Sequence, residues 1–185
     1  KSIAPLQDAQ QAMLLARTNA ENWGIDKNKI GVMGFSAGGH LAASLATHYN
    51  DVKIENPSKI SLRPDFQLLI YPVISFGPEG HEGSRINLIG NANDAKTKKA
   101  IDYFSNEKQI TKDTPPAFLV HSKDDDAVPV AGAIHYYDNL IAHKVPAEIY
   151  LYEKGGHGYG MKNATSEILW TSLMKTWMQK SKIIQ

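Results

Sequence analysis

The 185-residue chain contains no cysteine. Disulfides, thiolate catalysis and cysteine zinc sites are therefore excluded. It also lacks an excess of charge of either sign. Twenty Lys and Arg stand against 19 Asp and Glu, a formal net charge of +1 spread along the chain. That leaves no basic stripe for nucleic acid and no polybasic anchor for a membrane surface. Long hydrophobic runs are missing too: the longest, around Phe66 to Ile74, is interrupted and far too short to span a bilayer. No His/Glu spacing has the form of a zinc site, so neither a metal nor another cofactor is expected. The first residue is Lys rather than Met, so the lack of a signal peptide leaves the compartment unknown.

What is present is the composition of an ordinary globular protein, 42% apolar and 21% charged, at a length that fits one domain with a real core. Helical and strand patterns alternate from end to end, without repeats. Residues 5 to 23 read as a helix: Ala9, Met13, Ala16, Ala20 and Trp23 recur at helical spacing, Pro5 suits the first turn and Gly24 ends it. Ile30 to Phe35 is a compact apolar strand, followed by a Gly-rich turn and a helix from about Ala37 to His48. The polar stretch Asn50 to Pro64 is a loop. Phe66 to Tyr71 is a second buried strand, stopped by Pro72. Residues 73 to 114 form a long cap-like insertion with one helix, roughly Asp94 to Phe104. A third strand spans Ala117 to His121. An amphipathic helix runs through Val130 to Ile141, an outer strand through Glu148 to Tyr152, and a last helix carries Trp170 to Trp177. Strands separated by helices imply parallel crossovers. The expected fold class is α/β, a mostly parallel sheet with helices on both faces.

The sharpest feature is Gly34-Phe35-Ser36-Ala37-Gly38-Gly39, placed where a strand hands over to a helix. Such a nucleophile elbow holds its serine on a strained turn with the hydroxyl presented above the sheet edge. Gly34 and Gly38 would let strand and helix approach closely. The Ala37 amide, at the helix N-terminus, can donate to a developing oxyanion. A serine nucleophile needs a base, and the base an orienting acid, and both occur in the expected order. The run His121-Ser122-Lys123-Asp124-Asp125-Asp126 follows the third strand, and Gly155-Gly156-His157-Gly158 follows the fourth. Each piece also has a plain structural reading. Three aspartates before a helix serve as caps, and a histidine between glycines is a common turn residue. The conjunction of all three in order favours chemistry. His48, His135 and His143 fall on helices as solvated faces. His40 and His121 flank the elbow and acid loop and read as structural. Asn163-Ala164-Thr165 is formally a glycosylation acceptor, but capping of the last helix is the plainer role.

Together these residues resemble the α/β-hydrolase superfamily, and within it the branch of acetyl xylan esterases and related carbohydrate esterases. Ile30 to Ala42 is similar to the elbow of that branch. So are Tyr71-Pro72-Val73-Ile74, His81-Glu82-Gly83-Ser84-Arg85, Asn87-Leu88-Ile89-Gly90, Tyr103-Phe104-Ser105 and Thr114-Pro115-Pro116. Val128-Pro129 and the His157 loop complete the match. The resemblance implies Ser36 as nucleophile, His157 as base and Asp125, three residues before Val128, as acid, with Asp126 the alternative and Asp124 a loop-bonding residue. It implies a small ester or acylated carbohydrate as substrate, and through a polysaccharide substrate a secreted or periplasmic location. The insertion would wall the alcohol side of the pocket, where His81, Ser84 and Arg85 either contact a sugar hydroxyl or pack the loop.

One departure matters. The family carries an HGG-type loop upstream of the elbow whose backbone supplies the second oxyanion donor, and no such sequence occurs here. The match covers the C-terminal two-thirds of a typical member, so the α/β-hydrolase sheet is expected without its N-terminal strands. The elbow strand would then have an exposed edge, to be completed by an N-terminal segment or a partner chain. Two rival readings share these residues: a prolyl-oligopeptidase-type serine peptidase, and a non-catalytic fragment or binding module without a complete oxyanion hole.

Overall fold

The computed structural model describes all 185 residues, Lys1–Gln185. In chain order it contains α1 (Ala4–Thr18), β1 (Val32–Phe35), α2 (Ser36–His48), β2 (Gln67–Ile70), α3 (Glu82–Ile89), α4 (Ala95–Phe104), β3 (Ala117–Ser122), α5 (Ala131–Ala142), β4 (Ala147–Tyr152) and α6 (Trp170–Lys180). The four strands form one sheet in the order β1-β2-β3-β4, and every pairing is parallel. Phe35 lies opposite Ile70, Ile70 opposite Val120, and Val120 opposite Tyr150. This register brings the C-terminal strand ends to one lip of the sheet, where ligands bind in open α/β folds.

All residues of β2 and β3 are buried, as strands covered on both faces must be. Period-two alternation sends successive residues to opposite layers. Ala117 and Leu119 meet the face covered by α2 and α5, where Ala42 and Ala43 pack beside Ala133, Tyr136 and Leu140. The small α2 residues let that helix lie close to the strands. Phe118 and Val120 meet α6 on the other face, through Trp170 and Trp177. A third, smaller cluster of Val73, Phe76, Phe104 and Val128 holds the insertion to the acid loop. β1 pairs with β2 alone, and Met33 on it is exposed.

Several expectations change. The first helix ends at Thr18, not near residue 23; Asn19 closes it and a turn continues to Gly24, leaving Trp23 exposed. Asn is a poor helix former because its side chain competes for backbone groups. Here the Asn19 amide donates to the Leu15 carbonyl at 2.9 Å. The insertion holds two α-helices rather than one, with a short 3-10 turn at Asn106–Lys108. The extra helix, α3, buries no residue fully, so it has little of the periodic apolar signal by which sequence reveals helices. His48 is buried rather than solvated, its ring 4.3 Å from that of Tyr103. His135 and His143 are exposed as expected. Asn163 does not cap α6, whose N-cap is Leu169. It is 1% exposed, which also removes it as a glycosylation acceptor in the folded chain. No helix is long and apolar enough to cross a membrane.

Candidate active site

The elbow forms because its backbone has no alternative. A Cβ at residue 34 would sit 2.1 Å from the Gly38 carbonyl oxygen, so only glycine allows the first turn of α2 to fold back over β1. A Cβ at residue 39 would lie 2.6 Å from Pro72 Cβ. The expectation for Gly38 needs correcting: space beside it is open, and Gly39 is the second close-approach glycine. Between them Ser36 has φ 53°, a left-handed conformation that costs a residue with a Cβ. The Ser36 carbonyl accepts the Val73 amide at 3.0 Å, tying the elbow to the end of β2.

Ser36 Oγ lies 2.8 Å from His157 Nε2. His157 Nδ1 lies 2.7 Å from Asp125 Oδ2. A carboxylate only accepts, so Nδ1 carries the proton and Nε2 is free to accept from the Ser36 hydroxyl. Asp125 is fixed from its other side, where Oδ1 accepts the amides of Ala127 at 3.0 Å and Val128 at 2.8 Å. Burial by itself would raise the Asp125 carboxyl. The Val128 amide and the two imidazoles, His157 and His121, outweigh it and hold the group below the usual carboxylate range. Asp126 is exposed and makes no hydrogen bond to His157, whereas Asp124 Oδ1 accepts the Gly156 amide at 2.9 Å and joins the acid loop to the histidine loop.

The histidine loop is anchored at several points. Gly156 and Gly158, on either side of His157, both have positive φ. Asn163 Nδ2 and Thr165 Oγ1 both donate to the Lys154 carbonyl, at 2.7 and 2.8 Å. Tyr71 was not foreseen as a site residue. Its ring meets the His157 ring edge-on at 4.9 Å, and its hydroxyl accepts the Gly160 amide at 3.1 Å. Its sequence signals were its place at the end of the second strand before Pro72 and the similarity of Tyr71-Pro72-Val73-Ile74 to the carbohydrate esterase branch.

A cavity of about 420 Å³ opens beside Ala37 and Gly38, walled by Leu6, Leu41, Phe76, Leu88 and Phe104. His40 also lines it. Burial, against the opposing effect of the Phe104 carbonyl, brings His40 down to about 4, so this wall is uncharged near neutrality. Its Nε2–H donates to that carbonyl at 2.8 Å, and its ring stacks on Phe76 at 4.3 Å. Of the three residues proposed for sugar contact, only Ser84 lines this cavity. His81 and Arg85 border a separate cavity of about 390 Å³. His81 caps α3, accepting the Ser84 amide at 3.2 Å, and Arg85 pairs with Glu82 at 3.2 Å. The Ala37 amide, in the first turn of α2, has no intrahelical acceptor and is free to donate.

The BD-FAE family pattern matches residues 1–140. The chain belongs to the BD-FAE family. It is 41% identical over 161 residues to endo-1,4-beta-xylanase B of Butyrivibrio fibrisolvens, covering 86% of this chain and 25% of that protein. It is 35% identical over 159 residues to an acetylxylan esterase of Xylanibacter ruminicola, covering 84% of this chain and 31% of that protein. Among solved structures, an acetyl ester-xyloside bifunctional hydrolase from Caldicellulosiruptor lactoaceticus superposes with a TM-score of 0.88 at 38% identity, over 98% of this chain and 67% of that one. This BD-FAE chain therefore has the α/β-hydrolase fold, and it spans a quarter to a third of the length of these two curated relatives.

Proposed function

We propose that this BD-FAE chain carries the catalytic serine machinery of a carbohydrate esterase that removes short acyl groups, acetyl groups on xylan or related carbohydrates above all. The observation that carries the reading is the unbroken line from Ser36 Oγ through His157 to Asp125, at 2.8 and 2.7 Å, on a left-handed elbow. The names of the acetylxylan esterase and acetyl ester-xyloside hydrolase relatives support the acyl class.

In this mechanism His157 Nε2 takes the Ser36 proton as Oγ attacks the ester carbonyl. Asp125 keeps His157 in the required tautomer and stabilises the imidazolium. The Ala37 amide donates to the oxyanion. The leaving alcohol takes the proton from His157, and water then cleaves the acyl-enzyme by the same path reversed. A second oxyanion donor, worth about 10²–10³ in turnover, would come from an upstream segment or a partner chain that also pairs with the free edge of β1. The substrate would reach Ser36 across the cavity beside Ala37.

The test is hydrolysis of p-nitrophenyl acetate and an acetylated xylooligosaccharide by this chain, by Ser36→Ala and by a chain extended upstream. Activity lost in Ser36→Ala supports the serine mechanism, and activity only in the extended chain locates the second donor upstream. Cleavage of a peptide amide in preference to the acetyl ester would favour the peptidase reading. Inactivity of both, with no labelling of Ser36 by an organophosphonate, would favour a non-catalytic domain.

A further inference from the structure

His121 was expected to be structural, and it is fully buried at the end of β3. Its Nε2 lies 3.0 Å from Asp125 Oδ2 and 3.0 Å from the Val128 carbonyl. Both neighbours are acceptors, so Nε2 carries the proton. Asp125 Oδ2 thus accepts two imidazole N–H groups, one from His121 and one from His157. The other ring nitrogen, His121 Nδ1, is buried without a partner. An apolar side chain would fill that space without orphaning a polar atom. The imidazole is explained by what its Nε2–H does.

We propose that His121 is a positioning residue for the acid: its hydrogen bond to Asp125 Oδ2 sets how strongly that carboxylate holds the His157 ring. This rests on Asp125 serving as the acid of the serine machinery. A carboxylate oxygen shared between two donors gives less to each. With the His121 bond removed, Oδ2 becomes a stronger acceptor and stabilises the protonated form of His157 more. The base then stays protonated to higher pH and releases its proton less readily to the leaving alcohol. Because Oδ1 is held by two backbone amides, the carboxylate need not rotate, so the effect is on acceptor strength rather than gross geometry.

His121 acts as a neutral donor. Burial lowers its affinity for a second proton, and this outweighs the neighbouring Asp125 carboxylate and the Val128 carbonyl. The other titratable groups around the pair are few. On the acid loop Asp124 is bonded to the Gly156 amide, Asp126 is exposed, and Lys123 is paired with Glu153. From the histidine loop, Tyr159 is pushed up by burial, and from the end of β2 so is Tyr71; both stay neutral.

The experiment follows the His157 ring carbons by NMR as pH is varied, in wild type, His121→Leu and His121→Gln. Gln keeps an N–H near the Nε2 position, and Leu removes it. The expected result is a His157 titration midpoint that moves to higher pH in His121→Leu and returns to the wild-type position in His121→Gln. The acid limb of the kcat/KM profile should move by the same amount. An unmoved midpoint in a folded His121→Leu overturns the proposal. If His121→Leu does not fold, His121→Asn, whose shorter amide stops short of Oδ2, supplies the comparison. The NMR arm needs no turnover, and Ser36→Ala assayed alongside reports separately on the serine reading.

Discussion

Acid sensitivity should be set largely by His40, a residue of the cavity wall. In the unfolded chain it titrates near 6.5; in the fold, burial brings it down to about 4. Between those values the unfolded chain binds a proton that the folded chain refuses. Stability therefore falls as pH drops from about 6.5 to about 4, and below that this residue adds no further loss. The displacement is worth about 3 kcal/mol, a large share of the roughly 5–15 kcal/mol that holds a domain of this size together. Within the window the slope from one proton is about 1.4 kcal/mol per pH unit. His48 and His121 are lowered by burial as well and add to it. Asp125, held below its ordinary range, contributes its own loss only at lower pH, as pH falls through its depressed value. The assay is urea unfolding read by tryptophan fluorescence at a series of pH values, with Trp170 and Trp177 as buried reporters. His40→Gln keeps an amide donor toward the Phe104 carbonyl but cannot titrate. Its stability should depend on pH less steeply, by about 1.4 kcal/mol per unit over the window. Parallel slopes in wild type and variant would refute the argument.

Three further outcomes are expected. Asp125→Asn should lower kcat toward p-nitrophenyl acetate by about 10³–10⁴ while the fold persists, and Asp126→Asn should leave it near wild type; the reverse ranking would transfer the acid to Asp126. Gly34→Ala should destabilise by about 3 kcal/mol or more through its collision with the Gly38 carbonyl, visible as a lowered Tm. Gly38→Ala should melt normally and raise KM by narrowing the cavity, and a lowered Tm there would contradict the open space. Ser84→Val should raise KM for a sugar acetate more than for an aryl acetate, whereas His81→Ala should act mainly on stability, costing about 1 kcal/mol as a lost helix cap; equal KM effects of Ser84→Val on both esters would take that wall away from the sugar.

Much of this candidate site was legible because its residues are tied to local backbone demands. The elbow needs Gly34 and a small neighbour at the strand-to-helix junction, and the order of Ser36, Asp125 and His157 follows from three crossovers ending at one lip. What could not be read depended on contacts distant in sequence. The motif singles out Gly38, but Pro72, more than 30 residues on, makes Gly39 the one that must lack a Cβ. His81 and Ser84 stand three apart in one stretch, and the cap of α3 joins them, His81 Nδ1 accepting from Ser84 Oγ at 2.8 Å at the edge of the cavity that Ser84 lines. His48 follows the polar face of a helix in sequence, and contacts distant in sequence, the Tyr103 ring of the insertion among them, bury it. Asn163 offered an acceptor motif, and its actual role, holding the Lys154 carbonyl, depends on how the histidine loop closes.

Two of the five non-glycine residues with left-handed backbones lie at the candidate site. Ser36 and Tyr71 each follow a strand residue, Phe35 and Ile70, that the register sets side by side. Both have left-handed backbones, with φ 53° and 37°. Such conformations cost about 1–3 kcal/mol each outside glycine and persist only where the surroundings enforce them. For Ser36 the enforcement comes from the α2 helix and the Val73 amide. Tyr71 is buried, its amide donates to the Val120 carbonyl at 2.6 Å, and its ring edge meets Phe35 at 5.8 Å. The two turns hold opposite ends of one contact: Ser36 brings Oγ to His157 Nε2, and Tyr71 braces the His157 ring and holds the Gly160 amide. A serine on a relaxed backbone would leave the Ser36 hydroxyl mobile, and a relaxed residue 71 would free the His157 ring. The parallel register lets a single packed core stabilise both strained residues, because the turns they begin leave the sheet at the same level.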